Sequence, residues 1–147
     1  GADIVVSLIG HRRDSPKSLQ SKTGHYITQA MIFHEVRRLV SLTSTDVRFE
    51  RDEPRLTDKL AYLWRRLRHR KQGNDARRHA RLLLTSGVAW ELVRVPRLTD
   101  GPARGNYRVG LIGAGAGSSL SRADLVDFLL GELETEERVF QMPVISY

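Results

Sequence analysis

Three short polar segments each close an apolar, β-branched run. Gly10-His11-Arg12 follows Asp3 to Ile9, Thr43-Ser44 ends Arg38 to Ser44, and Pro96-Arg97 follows Ala89 to Val95. Runs of this kind read as strands buried on both faces. In a parallel α/β sheet the ligand sits at the carboxyl ends of such strands. The residue types there can do chemistry: hydroxyls at Thr43 and Ser44 hydrogen-bond and orient, and guanidinium groups at Arg12 and Arg97 bind phosphate or carboxylate in a fork.

Other candidate constellations are weaker. The run Gly110-Leu-Ile-Gly113-Ala-Gly115-Ala-Gly117-Ser118 could offer backbone N–H groups to a phosphate. A dinucleotide fingerprint, however, needs a strand before it, a helix directly after it and an acid about twenty residues on. Val109 to Ile112 is short for that strand, so a surface hairpin loop is the simpler reading. The histidines are His11, His25, His34, His69 and His79, no pair of which has zinc-protease spacing, so no metal site is expected. Among them His11, at a strand end, is the one placed for ligand contact. Ser44 with Tyr62 and Arg66 imitates a Ser/Tyr-x-x-x-Lys proton-transfer set, but Arg stands where Lys is needed, and Tyr62 is better read as helix core.

The elements that must position these residues follow from patterning. A helix is expected over Ser18 to Val36 and another from Asp58 to about Lys71, capped by Thr57, with Leu60, Tyr62, Leu63 and Leu67 on its apolar side. Gln72-Gly73 should break it, with Asn74 capping the next helix to about Thr85. Asp46 to Pro54 reads as irregular, Asn106 to Ile112 as extended, and Arg138 to Ile145 as a last strand. Ser121-Arg-Ala-Asp124 resembles a capping box opening a helix with Leu125, Phe128 and Leu129 inward. Strands alternating with helices give α/β, a mostly parallel sheet with flanking helices.

Size and charge bound the rest. At 147 residues, 40% hydrophobic and 28% charged, the composition is that of one ordinary globular domain spanning 1–147. No apolar run spans a bilayer, so no membrane partner is expected. The absence of Cys excludes disulfides and thiol chemistry and makes the cytoplasm the default. Of the 24 basic residues 20 are Arg, against 17 acids, for a net charge of +7. Eight bases and one acid, Asp75, lie between Trp64 and Arg81, whereas Ser119 to Tyr147 carries six acids and two bases. The basic stretch reads as a solvated helical face or as a nucleic-acid-binding surface, with few aromatics for base stacking.

Taken in order, Asp3-Ile-Val-Val-Ser-Leu-Ile-Gly10, Leu39-Val-Ser-Leu-Thr-Ser44, Leu83-Leu-Thr-Ser-Gly87-Val-Ala-Trp-Glu-Leu-Val-Arg-Val-Pro-Arg-Leu-Thr-Asp-Gly101, Ser119-Leu-Ser-Arg-Ala-Asp-Leu-Val-Asp-Phe-Leu129 and Val144-Ile-Ser-Tyr147 resemble the NAD(P)-binding atypical short-chain dehydrogenase/reductases. Within these the chain is similar to the NmrA-like group and the flavin reductase (biliverdin reductase B) type. Val47 to Arg70 is longer and more basic than the pattern. The resemblance implies a Rossmann-like sheet with cofactor contacts from Gly10, His11, Arg12, Thr43, Ser44, Pro96 and, on the third helix, Arg77. Ser44 would orient the nicotinamide or acceptor, Arg97 would stabilise charge on the acceptor, and Arg12 would meet a cofactor phosphate, favouring NADP over NAD.

The sequence begins at what would be the family's fourth strand. The Gly-rich turn and the units that hold the pyrophosphate are missing from it, leaving the carboxyl-terminal half of the fold. A fragment, a partner that supplies the other half, or a homodimer would each account for this. The leading expectation is therefore an NAD(P)-dependent reductase passing hydride to a flat conjugated small-molecule acceptor of flavin or quinone type. A non-catalytic regulatory or protein-binding member of the same fold, and a basic nucleic-acid-binding protein, are the alternatives.

Overall fold

The computed structural model describes residues 1–12, 14–68, 70–115 and 117–147, with backbone alone for residues 61, 65, 66, 68 and 70. Its core is a chain of crossovers. Strand β1 (Ile4–Ser7) leads through helix α1 (Leu19–Phe33) to β2 (Arg38–Ser44). Two helices, α2 (Leu56–Arg68) and α3 (Arg70–Leu84), then lead to β3 (Ala89–Val95). Short strands β4 (Arg97–Thr99), β5 (Arg108–Gly110) and β6 (Ser119–Ser121) precede α4 (Arg122–Leu133) and β7 (Val144–Ser146). The main sheet runs β1-β2-β3-β7-β5, parallel except for β5, and β4 pairs with β6 in a small parallel sheet of its own. This is the Rossmann-like arrangement expected.

Side-chain alternation in β2 and β3 explains why the sheet is covered on both faces. Leu39, Trp90 and Leu92 meet Met31, Ala76, Ala80 and Leu83 of α1 and α3. Val40, Leu42 and Val93 meet Leu120, Leu125, Phe128 and Leu129 on the α4 side. Helix α1 approaches α3 at Gly24, where a Cβ would stand 2.4 Å from Nδ1 of His79. The His79 imidazole is buried and shares a 2.9 Å hydrogen bond with Ser41 Oγ, tying α3 to β2. Ser121 caps α4, its Oγ accepting from Asp124 N as the capping box requires.

The irregular segment after β2 is anchored by one ion pair. Buried Arg94 of β3 donates Nη1 and Nη2 to Asp52 at 2.6 and 2.8 Å, and Nη1 also donates to Val47 O. Asp52 accepts in addition from Phe49 N and Ile112 N. Burial alone would raise this carboxyl, but Arg94 and the N–H donors hold it below its ordinary value. Gly113, with φ +108, lies on the Glu53 carbonyl, where a Cβ would stand 1.9 Å from the oxygen. Gly117 lies as closely on the backbone of Tyr147. These glycines serve close backbone approach.

Several boundaries differ from the sequence reading. α3 runs through Gln72-Gly73, because Gly73 is buried in the helix packing and does not adopt the positive φ of a helix-ending glycine. Thr57 lies inside α2, and Asp58 accepts from Arg55 N at its start. Leu60, Leu63 and Leu67 are exposed and not core. The last strand is three residues: Arg138 to Gln141 forms a turn with Phe140 at φ +61, and Pro143 has no N–H to donate. β4 and β6 are too short for any periodicity to reveal. Among the described residues no helix is long and apolar enough to cross a membrane.

Glu91 of β3 is fully buried with neither carboxyl oxygen hydrogen-bonded, 3.6 Å from Arg38 and facing Glu132 and Arg138. Burial first, then Glu132, pushes it up to about 8, against the pull of the two arginines. Native Glu91 thus keeps a proton that the unfolded chain has released, and stability falls as pH rises from about 4.5 to about 8. Burial lowers His79 to about 4, so its contribution works in the opposite direction but is complete near pH 6.5. The melting temperature should therefore drop between pH 6.5 and 8.5, and Glu91→Gln should flatten that drop when melts are followed by circular dichroism.

Candidate functional site

The carboxyl ends of β1, β2 and β3 open into a cleft of about 550 Å³. It is lined by Gly10 and His11 after β1, Thr43 and Ser44 of β2, and Pro96 and Arg97 after β3. The sheet brings these together because parallel register places Ser44 beside Val95 at the end of the β2–β3 ladder. Gly117, Ser118 and Arg122 close the far wall, carried by the strand pairing of Arg97 with Ser119.

Each side chain has a definite setting. Thr43 is buried and its hydroxyl has no hydrogen-bond partner. Ser44 Oγ donates to Asp46 Oδ2 at 3.3 Å in a tight turn, so its orientation is set by the chain that follows it. His11 Nε2 lies 2.8 Å from Oδ2 of buried Asp75. That carboxylate also accepts from Gln20 N at 2.8 Å, from Ser21 N and from the Ser21 hydroxyl. Burial alone would raise Asp75, yet the Ser21 hydroxyl, Gln20 N–H and His11 together hold it below its ordinary value. Asp75 is thus an anion on the first turn of α1, supplied by a different helix. The Gln20 amide donates to Ile9 O and Leu42 O, clamping the ends of β1 and β2 across the cleft floor.

Two expected contacts lie elsewhere. Arg12 is exposed and outside the cleft lining, because the chain turns there with Arg12 N donating to Ser15 Oγ at 2.8 Å. Arg77 is also outside the lining: α3 presents Gln72 and Ala76 to the cleft, and the Arg77 guanidinium donates to Asn74 Oδ1 at 2.6 Å. Tyr62 sits under the Arg48 guanidinium, 4.6 Å from its ring centroid, away from the cleft. His69 and the Arg66 side chain lie outside the described residues. Gln20 and Asp75 were missed as site residues, although Asp75 is the single acid in the basic stretch 64–81.

Parallel α/β sheets of this kind take their ligands in such a cleft at the carboxyl ends of the strands. The chain belongs to the family described as NAD(P)H-binding, whose model matches residues 1–136. It is similar in structure to a short-chain dehydrogenase/reductase from Veillonella parvula, with a TM-score of 0.75 and 14% identity, covering 99% of this chain and 62% of that one. The oxidoreductase ylbE from Lactococcus lactis gives a TM-score of 0.77 and 15% identity over 99% of this chain and 62% of that one. A candidate NADH-flavin reductase from Streptococcus pneumoniae gives 0.77 and 18%, over 99% and 72%. These likenesses are of fold, and the chain spans about three fifths of the length of the first two structures.

If the Asp75 carboxylate organises the site, Asp75→Asn should leave the volume unchanged but remove the anion from the α1 N-terminus. Urea unfolding should show a loss of about 1–3 kcal/mol.

Proposed function

We propose that this chain carries the nicotinamide side of an NAD(P)H-dependent reductase, of the NmrA-like or flavin reductase type, whose acceptor is a flat conjugated molecule such as a flavin or quinone. The observation that supports this best is the single cleft shared by Gly10, His11, Thr43, Ser44, Pro96 and Arg97 in a chain of an NAD(P)H-binding family. The buried, unpartnered Thr43 hydroxyl fits a ligand that supplies its missing hydrogen bond. When bound, the nicotinamide supplies the hydride. Thr43 and Ser44 orient the bound ring through their hydroxyls, Pro96 provides a rigid flank, and Arg97 stabilises negative charge that develops on the acceptor.

The acceptor class rests on what α3 offers. Gln72 and Ala76 face the cleft where a proton-donating Tyr and Lys would be useful, and no Tyr or Lys lines it among the described residues. An acceptor that spreads the charge of an arriving hydride over a conjugated ring needs no such donor, whereas an isolated carbonyl does. A structure of a Veillonella parvula short-chain dehydrogenase/reductase in complex with NADP has the same fold, at 13% identity and a TM-score of 0.74. With Arg12 turned away from the cleft, the preference for NADP over NAD rests on that likeness and on the arginine-rich surface.

Fluorescence titration tests the reading. NADPH should bind saturably and more tightly than NADH, and absence of binding at millimolar NADPH would overturn it. Thr43→Val should leave the free protein as stable or more so, since it deletes an unsatisfied buried hydroxyl, yet weaken NADPH binding about five- to tenfold. Arg97→Ala should leave binding intact and slow flavin reduction, which separates a reductase from a module that merely binds the nucleotide.

A further inference from the structure

We propose that helix α2 is a docking surface for an anionic lipid bilayer. The helix is mounted with its apolar side outward. On the opposite side of the helix Tyr62 is half-buried beneath the Arg48 guanidinium. Leu56, Leu60, Leu63 and Leu67 are 77%, 68%, 53% and 74% exposed. They recur at intervals of four, three and four residues, so they form one stripe along the helix, about 17 Å long. Trp64, 62% exposed, lies at the edge of that stripe. Such a ridge of large apolar side chains is unusual on a surface that meets water alone.

Charge decides what covers it. Between Arg55 and Lys71 the sequence holds seven basic residues and one acid, Asp58. A second copy of the same helix would bring two strongly positive segments together, so self-pairing is opposed. A nucleic acid would answer the positive charge and leave the leucines in water. An anionic bilayer answers both features at once. A helix lying in the interface buries its leucines at the acyl boundary, places Trp at headgroup level, and lets long basic side chains reach the phosphates. At 13 residues α2 is too short to cross a bilayer. The contact is peripheral, whereas the composition leads one to expect no membrane partner.

Vesicle binding of the full 147-residue chain provides the test. Sedimentation with vesicles of phosphatidylcholine containing about one-third phosphatidylglycerol should carry the protein down, phosphatidylcholine alone should not, and added salt should weaken the association. Tryptophan emission should shift to the blue on binding, a signal that reports Trp64 because Trp90 is already buried. The double variant Leu60→Gln/Leu63→Gln should lose binding about tenfold or more with its circular dichroism and melting unchanged, since both side chains are exposed. Ile32→Gln/Phe33→Gln, which alters exposed apolar residues on α1, should bind as the parent does. No binding to anionic vesicles would overturn the proposal, as would equal loss in the two double variants. Capture by an acidic amphipathic peptide or by heparin without any vesicle binding would replace it with a protein or nucleic-acid partner.

Discussion

The carboxylate of Asp75 ties three elements of this structure to one another. It lies on α3, satisfies Gln20 N, Ser21 N and the Ser21 hydroxyl at the start of α1, and holds His11 at the end of β1. Taking a carboxylate out of water is costly unless several donors replace the water, and here four donors converge. The same turn of α1 places the Gln20 amide on the carbonyls of Ile9 and Leu42. One buried anion thus fixes the helix pair relative to the strand ends, and with them the floor of the cleft.

A second buried pair governs the wall of the site. Arg94 and Asp52 form a two-pronged contact in the interior, and through it the irregular chain after β2 meets β3 and the Gly113 turn. The fork geometry explains why a segment without regular hydrogen bonding holds one course. Toward the other end of the sheet the polar interior is less well satisfied. Glu91 has no hydrogen-bond donor and faces Glu132 across the β3–α4 contact. Arg38 and Arg138 pair with Glu91 and Glu132 there, but the two carboxyl groups face each other, so the protein's sensitivity to alkaline pH lies at that end of the sheet.

The glycine-rich run and α2 show two ways in which sequence patterns permit more than one meaning. Glycines at 113 and 117 suit phosphate binding by composition, but the backbone of Glu53 and that of Tyr147 occupy the space their missing side chains leave. The leucine periodicity of α2 defines an apolar face equally well whether that face points inward or outward. Its direction is set by Tyr62 packing beneath Arg48, fourteen residues away in the chain.

The sequence by itself determined the alternation of strands and helices and the bounds of the two central strands. The first strand, Ile4–Ser7, is shorter than its apolar run, with Val6 and Leu8 exposed. β2 and β3 have the boundaries that their β-branched runs predict, and Ser121 caps α4, because strand burial and helix capping are local properties. It also marked Gly10, His11, Thr43, Ser44, Pro96 and Arg97 as strand-end residues, since the carboxyl end of a parallel strand is where such sheets open. Tertiary structure decided everything that needed a partner distant in the chain. It brought Gln20 and Asp75 beneath the cleft. It formed the β4–β6 pair from two three-residue segments and carried the helix through Gly73. The deciding contacts join segments that the local pattern cannot register: a carboxylate of α3 capping α1, or the backbones of Gly113 and Glu53 meeting where a side chain is absent.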